Sequence, residues 1–223
     1  GQRTAVAGAK PVAQLFDRAR SRQSQAARDS VVIYRGKFLP TGAAHAVTSA
    51  IGPFPKRKGF PNEREDGWTT RALTELLWKN EVPKFSLLWL SEPDLSQHET
   101  GPGSPTSLAA IKSSDANLAK VMAALKAKNA LASTDLFVVS DHGFSTVDLA
   151  LDAAQRLRAA GFDAVRNLPD SPKPGQILVV SLGGSMEFYV AGHDAATVRR
   201  LVDYLQHSDF AGVILTRGRQ EGT

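Results

Sequence analysis

The chain has 223 residues, 42% hydrophobic and 22% charged, as in a soluble globular protein, and no apolar run approaches the roughly 18 residues that a membrane span needs. It contains no cysteine, so disulfides and thiolate metal sites are excluded, and any metal ligands must come from His, Asp and Glu. The net charge of +5 suits an anionic partner, but the basic residues are scattered, and the one dense run, Lys56–Lys58, is expected to be a solvated loop.

Apolar runs along the chain predict strands. In chain order they span residues 3–9, 31–36, 84–91, 135–141, 176–182, 186–192 and 212–218. Several are almost continuously apolar, which is typical of parallel strands that are buried on both faces.

Segments with helical periodicity lie between these runs. Apolar residues share a helix face at Val12–Phe16, at Leu73–Leu77, over a long segment from Leu108 to about Ala130, and at Val198–Leu205. We interpret these faces as parts of the core rather than as cofactor sites.

The alternation of strands and helices predicts the fold class. It indicates an α/β fold, specifically a three-layer α/β/α domain with a mainly parallel sheet. The segment 37–66 differs, because it is rich in proline and glycine and has no clear period. We expect it to be an irregular excursion or part of a cap.

The first polar motif follows the predicted strand 84–91 and reads EPDLSQH over residues 92–98. If this loop forms one helical turn, Asp94 and His98 lie on the same side of it. A carboxylate oxygen and an imidazole nitrogen then reach one ion at about 2.0–2.2 Å. Taken alone the spacing is weak evidence, because surface loops also produce it.

The second polar motif, Asp141-His142-Gly143, follows the predicted strand 135–141. An aspartate and a histidine directly after a buried strand are costly unless they are solvated, paired or bound to a metal. Gly143 leaves the turn free to curl, so that the two side chains converge. The alternative is an aspartate that caps the next helix beside a surface histidine.

Together the two motifs are more specific than either one. They form a β–α–β unit that brings two carboxylates and two imidazoles to the carboxyl edge of one sheet. Mixed Asp/His coordination suits zinc first, with manganese or iron as alternatives. Two such ions about 3.5–4 Å apart are the standard arrangement for in-line displacement at phosphorus.

The pattern EPD-x-x-x-H-x-x-GP at residues 92–102, followed by a helix and VVSDHGFS at 138–145, resembles the type I phosphodiesterase/nucleotide pyrophosphatase family of the alkaline phosphatase superfamily. The resemblance implies an alkaline-phosphatase-like fold, two zinc ions and hydrolysis of an anionic phosphoester. It implies that Asp94 and His98 bind one zinc and that Asp141 and His142 bind the second. It also favours an exported or periplasmic protein and leaves the oligomeric state open.

The resemblance further implies residues that this sequence does not supply. The family completes its zinc sites with another histidine and another aspartate, and it attacks phosphorus with a Thr or Ser nucleophile; residues 1–223 hold no convincing match for these three. The remaining histidines are interpreted as surface or capping residues: His45, His193 and His207. Serines near the predicted metals are present, but none is singled out as the nucleophile: Ser91, Ser140 and Ser145. We therefore expect residues 1–223 to be the central part of one catalytic domain, with the nucleophile outside this chain.

Two alternatives stay open. The first is a phosphonate hydrolase, sulfatase or phosphomutase of the same superfamily. Ala9-Lys10 is similar to phosphonoacetate hydrolases, where lysines just past that strand contact the substrate carboxylate, but Pro11 follows here instead of a second lysine. The second is a non-catalytic domain that binds anions or nucleic acid through Lys56–Lys58, with affinity that weakens steeply with salt. Nucleic acid is the less expected partner of the two.

Overall fold

The computed structural model describes residues 1–18, 21–147, 149–218 and 222–223. The chain divides into two compact units, Gly1–Thr146 and Val147–Thr223. Each unit combines a sheet with helices, so the α/β fold class predicted from the sequence is confirmed. Across the described ranges, no helix is both long enough and apolar enough to cross a membrane. The single catalytic domain over residues 1–223 stays a prediction.

The first unit contains a four-stranded sheet. Its strands are β1 (Thr4–Gly8), β2 (Val31–Tyr34), β3 (Lys37–Leu39) and β4 (Phe85–Trp89), in the order β3-β2-β1-β4. β1 pairs in parallel with β2 and β4, whereas β3 is antiparallel to β2. In this register Gly8 lies between Tyr34 and Trp89, so the carboxyl ends of the three parallel strands meet at one edge.

Helices follow these strands. In chain order they are a 3₁₀-helix at Pro11–Phe16, α1 (Gln25–Arg28), α2 (Ala43–Ile51), α3 (Glu63–Arg71) continuing as a π-helix over Ala72–Leu77, α4 (Asp94–Thr100), α5 (Pro105–Ala127) and a 3₁₀-helix at Leu131–Ser133. Successive residues of a strand point to opposite faces of the sheet, and both faces of this sheet are covered. Ala5 and Ala7 join a core with Leu73, whereas Val6 packs with Ala13 on the other face.

The second unit contains a three-stranded sheet. Its strands are β5 (Ala164–Val165), β6 (Ile177–Ser181) and β7 (Met186–Val190), with β6 in the middle, parallel to β5 and antiparallel to β7. The helices are α6 (Ala153–Ala159), a 3₁₀-helix at Ala191–His193 and α7 (Ala195–Gln206). Leu157, Ile177 and Leu201 are buried together in the core of this unit.

Two predicted strands are wrong. The run 135–141 is irregular and exposed, with Val138 and Val139 74% and 83% accessible, and the run 212–218 is irregular with Val213 92% accessible. An apolar run becomes a strand only where a neighbouring strand completes its backbone hydrogen bonds. Within the described part of the chain, neither run pairs with a strand.

The expectation that 37–66 is irregular is also corrected. The segment contains β3, all of α2 and the first residues of α3, and the parts outside these elements are 40–42 and 52–62. The elements form because Phe38 and Val47 reach the core of the first unit. The long helix predicted from Leu108 is confirmed as α5, although Leu108 and Ile111 themselves are exposed and Val121 and Leu125 are buried.

Gly8 is a position where two backbone segments approach closely. A Cβ atom at Gly8 would lie 2.3 Å from the Cβ of Ala13, in the 3₁₀-helix that follows β1. We predict that Gly8→Ala lowers the free energy of unfolding by about 1–3 kcal/mol, because that helix must move away from the sheet. Gly42→Ala is the matched control, since nothing lies within 4 Å of its Cβ position. Urea unfolding measures both variants, and equal losses would contradict the prediction.

Candidate metal centre

Asp94 and His98 lie together because the loop after β4 turns directly into α4. Asp94 is the first residue of this helix, and His98 follows it by about one turn. His98 Nε2 is 3.4 Å from Asp94 Oδ1. The helical turn predicted from the D-x-x-x-H spacing is therefore present, with both side chains on the same side.

His142 joins this pair from a different part of the first unit. Its Nε2 atom is 3.2 Å from Asp94 Oδ1. One ligand atom from each of Asp94, His98 and His142 lies within 4.8 Å of the other two. The structure thus brings together three of the four residues predicted as metal ligands. Asp141 directly precedes His142, is exposed and is not part of this group.

The donor set fits a zinc ion. One carboxylate oxygen and two imidazole nitrogens leave a fourth position open, as in catalytic zinc sites. Donors about 2.0–2.1 Å from a tetrahedral ion are roughly 3.3–3.4 Å apart, close to the two distances from Asp94 Oδ1. The assignment of Asp94 and His98 to one ion, and of Asp141 and His142 to a second, stays a prediction. Ions about 3.5–4 Å apart have neighbouring ligands, so a ligand of the second ion, such as His142, is expected to lie close to Asp94 and His98.

Phe144 packs against both histidine rings. Its ring centroid is 4.8 Å from that of His98 and 5.1 Å from that of His142. The His142 Nδ1 atom is 3.0 Å from the Gly143 carbonyl oxygen, which can only accept a hydrogen bond. If Nδ1 carries the proton, Nε2 presents its lone pair on the side of Asp94, as metal binding requires. In the sequence, Phe144 stands out only as part of the VVSDHGFS pattern, two positions after His142.

Lys10 is a further residue of the site. Its Nζ atom contacts Asp94 Oδ2, so the Asp94 carboxylate uses Oδ2 for Lys10 and leaves Oδ1 on the side of the histidines. This division favours binding of an ion through one carboxylate oxygen only. The sequence signal for this contact is the position of Lys10 just past β1. Because β1 pairs with β4, it ends beside the loop that carries Asp94.

A buried carboxylate fixes the loop that carries Asp94. Asp66, on α3, is fully buried, and its Oδ1 atom accepts hydrogen bonds from the backbone N–H of Ser91 at 2.7 Å and from the Ser91 hydroxyl at 2.8 Å. Its Oδ2 atom accepts from the N–H of Glu92 at 3.0 Å. The backbone just before Asp94 is therefore attached to α3 at two consecutive residues.

Glu92 continues this network to three helices. Its carboxylate accepts from the N–H of Asn62 at 2.7 Å, next to α3, and from the N–H of Ser96 at 3.0 Å, in the first turn of α4. Its carbonyl oxygen accepts from the hydroxyl of Ser114 on α5 at 3.0 Å. Glu92 entered the sequence analysis only as part of a motif. In the structure it is a buried positioning residue rather than a ligand.

Burial raises the pKa of Asp66 to about 6, because desolvation of the carboxylate outweighs the hydrogen bonds from Ser91 and Glu92. A carboxyl group that binds its proton more tightly in the folded chain contributes to the stability of the fold. This contribution is complete when the pH is below the ordinary pKa of 3.8. This contribution is lost as the pH rises through about 6.

We predict that the free energy of unfolding, relative to that of Asp66→Asn, falls by about 2 kcal/mol between pH 4.5 and pH 7.5 in metal-free protein. Urea unfolding of the wild type and the variant at both pH values, in the presence of EDTA, measures this difference. Asp115→Asn, at an exposed position of α5, is the control and should show the same offset at both pH values. A pH-independent offset for Asp66→Asn would contradict the prediction.

The chain is similar to a known family and to parts of longer curated proteins. The family model for type I phosphodiesterase / nucleotide pyrophosphatase matches residues 10–215. The chain is 31% identical over 81 residues to a venom phosphodiesterase of Naja atra, covering 34% of this chain and 10% of that protein. It is 38% identical over 77 residues to ectonucleotide pyrophosphatase/phosphodiesterase family member 1 of Homo sapiens, covering 33% of this chain and 8% of that protein.

The matched segments thus span about a tenth of the length of these curated relatives. No solved structure shows significant similarity to the chain. The family match nevertheless extends over most of the sequence and includes all of the residues at the metal centre. The chain therefore belongs to the type I phosphodiesterase/nucleotide pyrophosphatase family.

Proposed function

We propose that the protein that contains this chain is a zinc-dependent hydrolase of phosphoric esters, most specifically a phosphodiesterase or nucleotide pyrophosphatase. The observation that carries the proposal is the group formed by Asp94, His98 and His142 at the carboxyl edge of the first sheet. In α/β sheets the loops at this edge are where ligands bind. Membership of the family supports the same reaction class.

The residues of the chain have distinct roles in this proposal. Asp94 and His98 hold one ion, and Asp141 and His142 hold the second, with His142 Nε2 3.2 Å from Asp94 Oδ1. The zinc ions, when bound, stabilise negative charge on the phosphoryl oxygens and lower the pKa of bound water. Lys10 keeps Asp94 in one orientation, and Phe144 does the same for the two imidazole rings. A Thr or Ser outside this chain is the nucleophile.

One observation weighs against a phosphonate hydrolase. That alternative depended on Lys10 as a contact for the carboxylate of the substrate. In the structure Lys10 binds Asp94, and its ammonium group is therefore already paired. The names of the relatives, which include venom phosphodiesterases, support an exported protein.

We predict that Asp94→Ala or His142→Ala, in the complete protein, removes one of the two zinc ions and lowers kcat/KM for bis(p-nitrophenyl) phosphate at least about 100-fold. Elemental analysis gives the zinc content, p-nitrophenol release gives the rate, and circular dichroism checks the fold. Asp141→Ala is also expected to remove one of the two zinc ions.

His207→Ala is the matched control, because His207 is exposed in the second unit just after α7. It should keep the zinc content and the rate of the wild type. Near-normal turnover in Asp94→Ala or His142→Ala would overturn the proposed function.

A further inference from the structure

The buried carboxylate of Asp66 takes no part in the proposed chemistry, yet it is bonded to the loop that carries Asp94. Its three donors are the N–H and the hydroxyl of Ser91 and the N–H of Glu92, at 2.7, 2.8 and 3.0 Å. Among the described residues, no ion pair involves Asp66. The ionised form of this carboxyl group is therefore held by hydrogen bonds to the loop rather than by a cation.

The attachment of the loop requires the ionised form of Asp66. An ionised carboxylate only accepts hydrogen bonds, so each of the three donors finds an acceptor. The protonated acid needs an acceptor for its own hydrogen, whereas the groups of Ser91 and Glu92 around it are arranged as donors. Protonation of Asp66 therefore weakens at least one of the three attachments.

Asp66 changes its charge at mildly acidic pH. Burial raises its pKa to about 6, and the negative charge of Glu92 adds to the rise. β1, which packs against α3, has no titratable side chain. The charged side chains of α5, which also packs against α3, are exposed: Lys112, Asp115, Lys120 and Lys126. Those of α3 and the π-helix are exposed or hydrogen-bonded elsewhere: Glu63, Arg64, Glu65, Arg71 and Glu75.

Glu92 extends the attachment from the loop to α4. Its N–H is held by Asp66, and its own carboxylate accepts from the Ser96 N–H at 3.0 Å. Ser96 lies in the helical turn between Asp94 and His98. A shift of Glu92 therefore moves the turn that sets the 3.4 Å distance between Asp94 Oδ1 and His98 Nε2.

α3 is itself held firmly in the first unit. Trp68, two residues after Asp66, is buried, and its indole N–H donates to the Gly52 carbonyl oxygen at 3.0 Å. Its ring makes an edge contact with the ring of Phe54, with a centroid distance of 5.2 Å. Phe54 in turn lies against the turn at Gly36, where a Cβ atom would be 2.5 Å from the Phe54 Cβ. Asp66 is thus presented to the loop from a fixed support.

We propose that Asp66 is a positioning residue for the ion held by Asp94 and His98, and that it acts only when ionised. Binding of this ion and release of the Asp66 proton to solvent are then coupled. The proposal rests on the proposed function, because it requires zinc at Asp94. The coupling is reciprocal, so zinc favours the ionised form of Asp66 and protonation of Asp66 weakens zinc binding.

The test uses three variants of the complete protein. Asp66→Asn keeps the shape of the side chain but replaces one acceptor oxygen by an NH₂ donor, so it resembles the protonated form at every pH. Ser91→Ala removes only the hydroxyl donor. Val121→Ala is the matched control, because it opens the core of the first unit at a buried position of α5 outside this network. Circular dichroism checks the fold of each variant.

We expect Asp66→Asn to raise the dissociation constant of the zinc ion that Asp94→Ala removes about tenfold at pH 7.5 and less than about twofold at pH 5.0. At pH 5.0 the wild type has itself lost most of the ionised form of Asp66, whose pKa is about 6. Protonation of the histidine ligands weakens zinc binding in all variants alike and cancels in this ratio. Competition with a zinc chelator measures the constants. The same ratio at both pH values, or an equal loss in Val121→Ala, would overturn the proposal.

Proton release gives a second readout that does not depend on turnover. Calorimetric titration with zinc chloride at pH 6, in two buffers of different ionisation enthalpy, should show roughly 0.4 proton more released by the wild type than by Asp66→Asn. Equal proton release would contradict the coupling. Ser91→Ala should raise the pH at which zinc affinity falls by about 0.5 unit, because the ionised form loses a donor. An unchanged midpoint in Ser91→Ala would overturn the proposal even where Asp66→Asn does not fold.

The outcomes separate this proposal from the proposed function. A wild type that binds no zinc at either pH would overturn the proposed function and this proposal with it. A wild type that binds zinc, with the same affinity as Asp66→Asn at pH 7.5, would overturn only the role of Asp66.

Discussion

The hydrogen bonds that Asp66 accepts from Ser91 and Glu92 are the interaction on which the site depends. They attach the backbone between β4 and α4 to α3, and Asp94 follows two residues later. α3 also carries Trp68, which anchors the loop with the basic run. α3 thus positions both the loop before Asp94 and the loop with the basic run. The arrangement has an energetic cost, because a carboxylate without water around it is held only by the donors that surround it.

The parts of the site that the sequence predicted are those with local causes. The four-residue spacing of Asp94 and His98 needs only one helical turn, and that turn is present as α4. The α/β class follows from alternating periodicities, which depend on each segment separately. His142 was predicted to lie near Asp94 because residues 135–141 were expected to form a strand. In the structure His142 does lie near Asp94, although residues 135–141 are not a strand. Burial of an apolar run depends on a neighbour, and the run itself does not specify that neighbour.

The parts that could not be predicted depend on contacts between distant segments. Lys10 contacts Asp94 across 84 positions of sequence, and its role follows only from the pairing of β1 with β4. Glu92 looked like a motif residue, but its hydrogen bonds to Asn62 and Ser114 are tertiary. The basic run Lys56–Lys58, by contrast, is irregular and exposed, as expected of a solvated loop.

The close contact between Gly36 and Phe54 has a consequence for how the family diversifies. The turn that carries Arg35 and the loop that carries Lys56 fit together only while position 36 lacks a side chain. A relative with a larger residue there must move or lose the aromatic ring at 54, and the turn and the loop then separate. Glycine at 36 and an aromatic residue at 54 are therefore expected to be inherited as a pair.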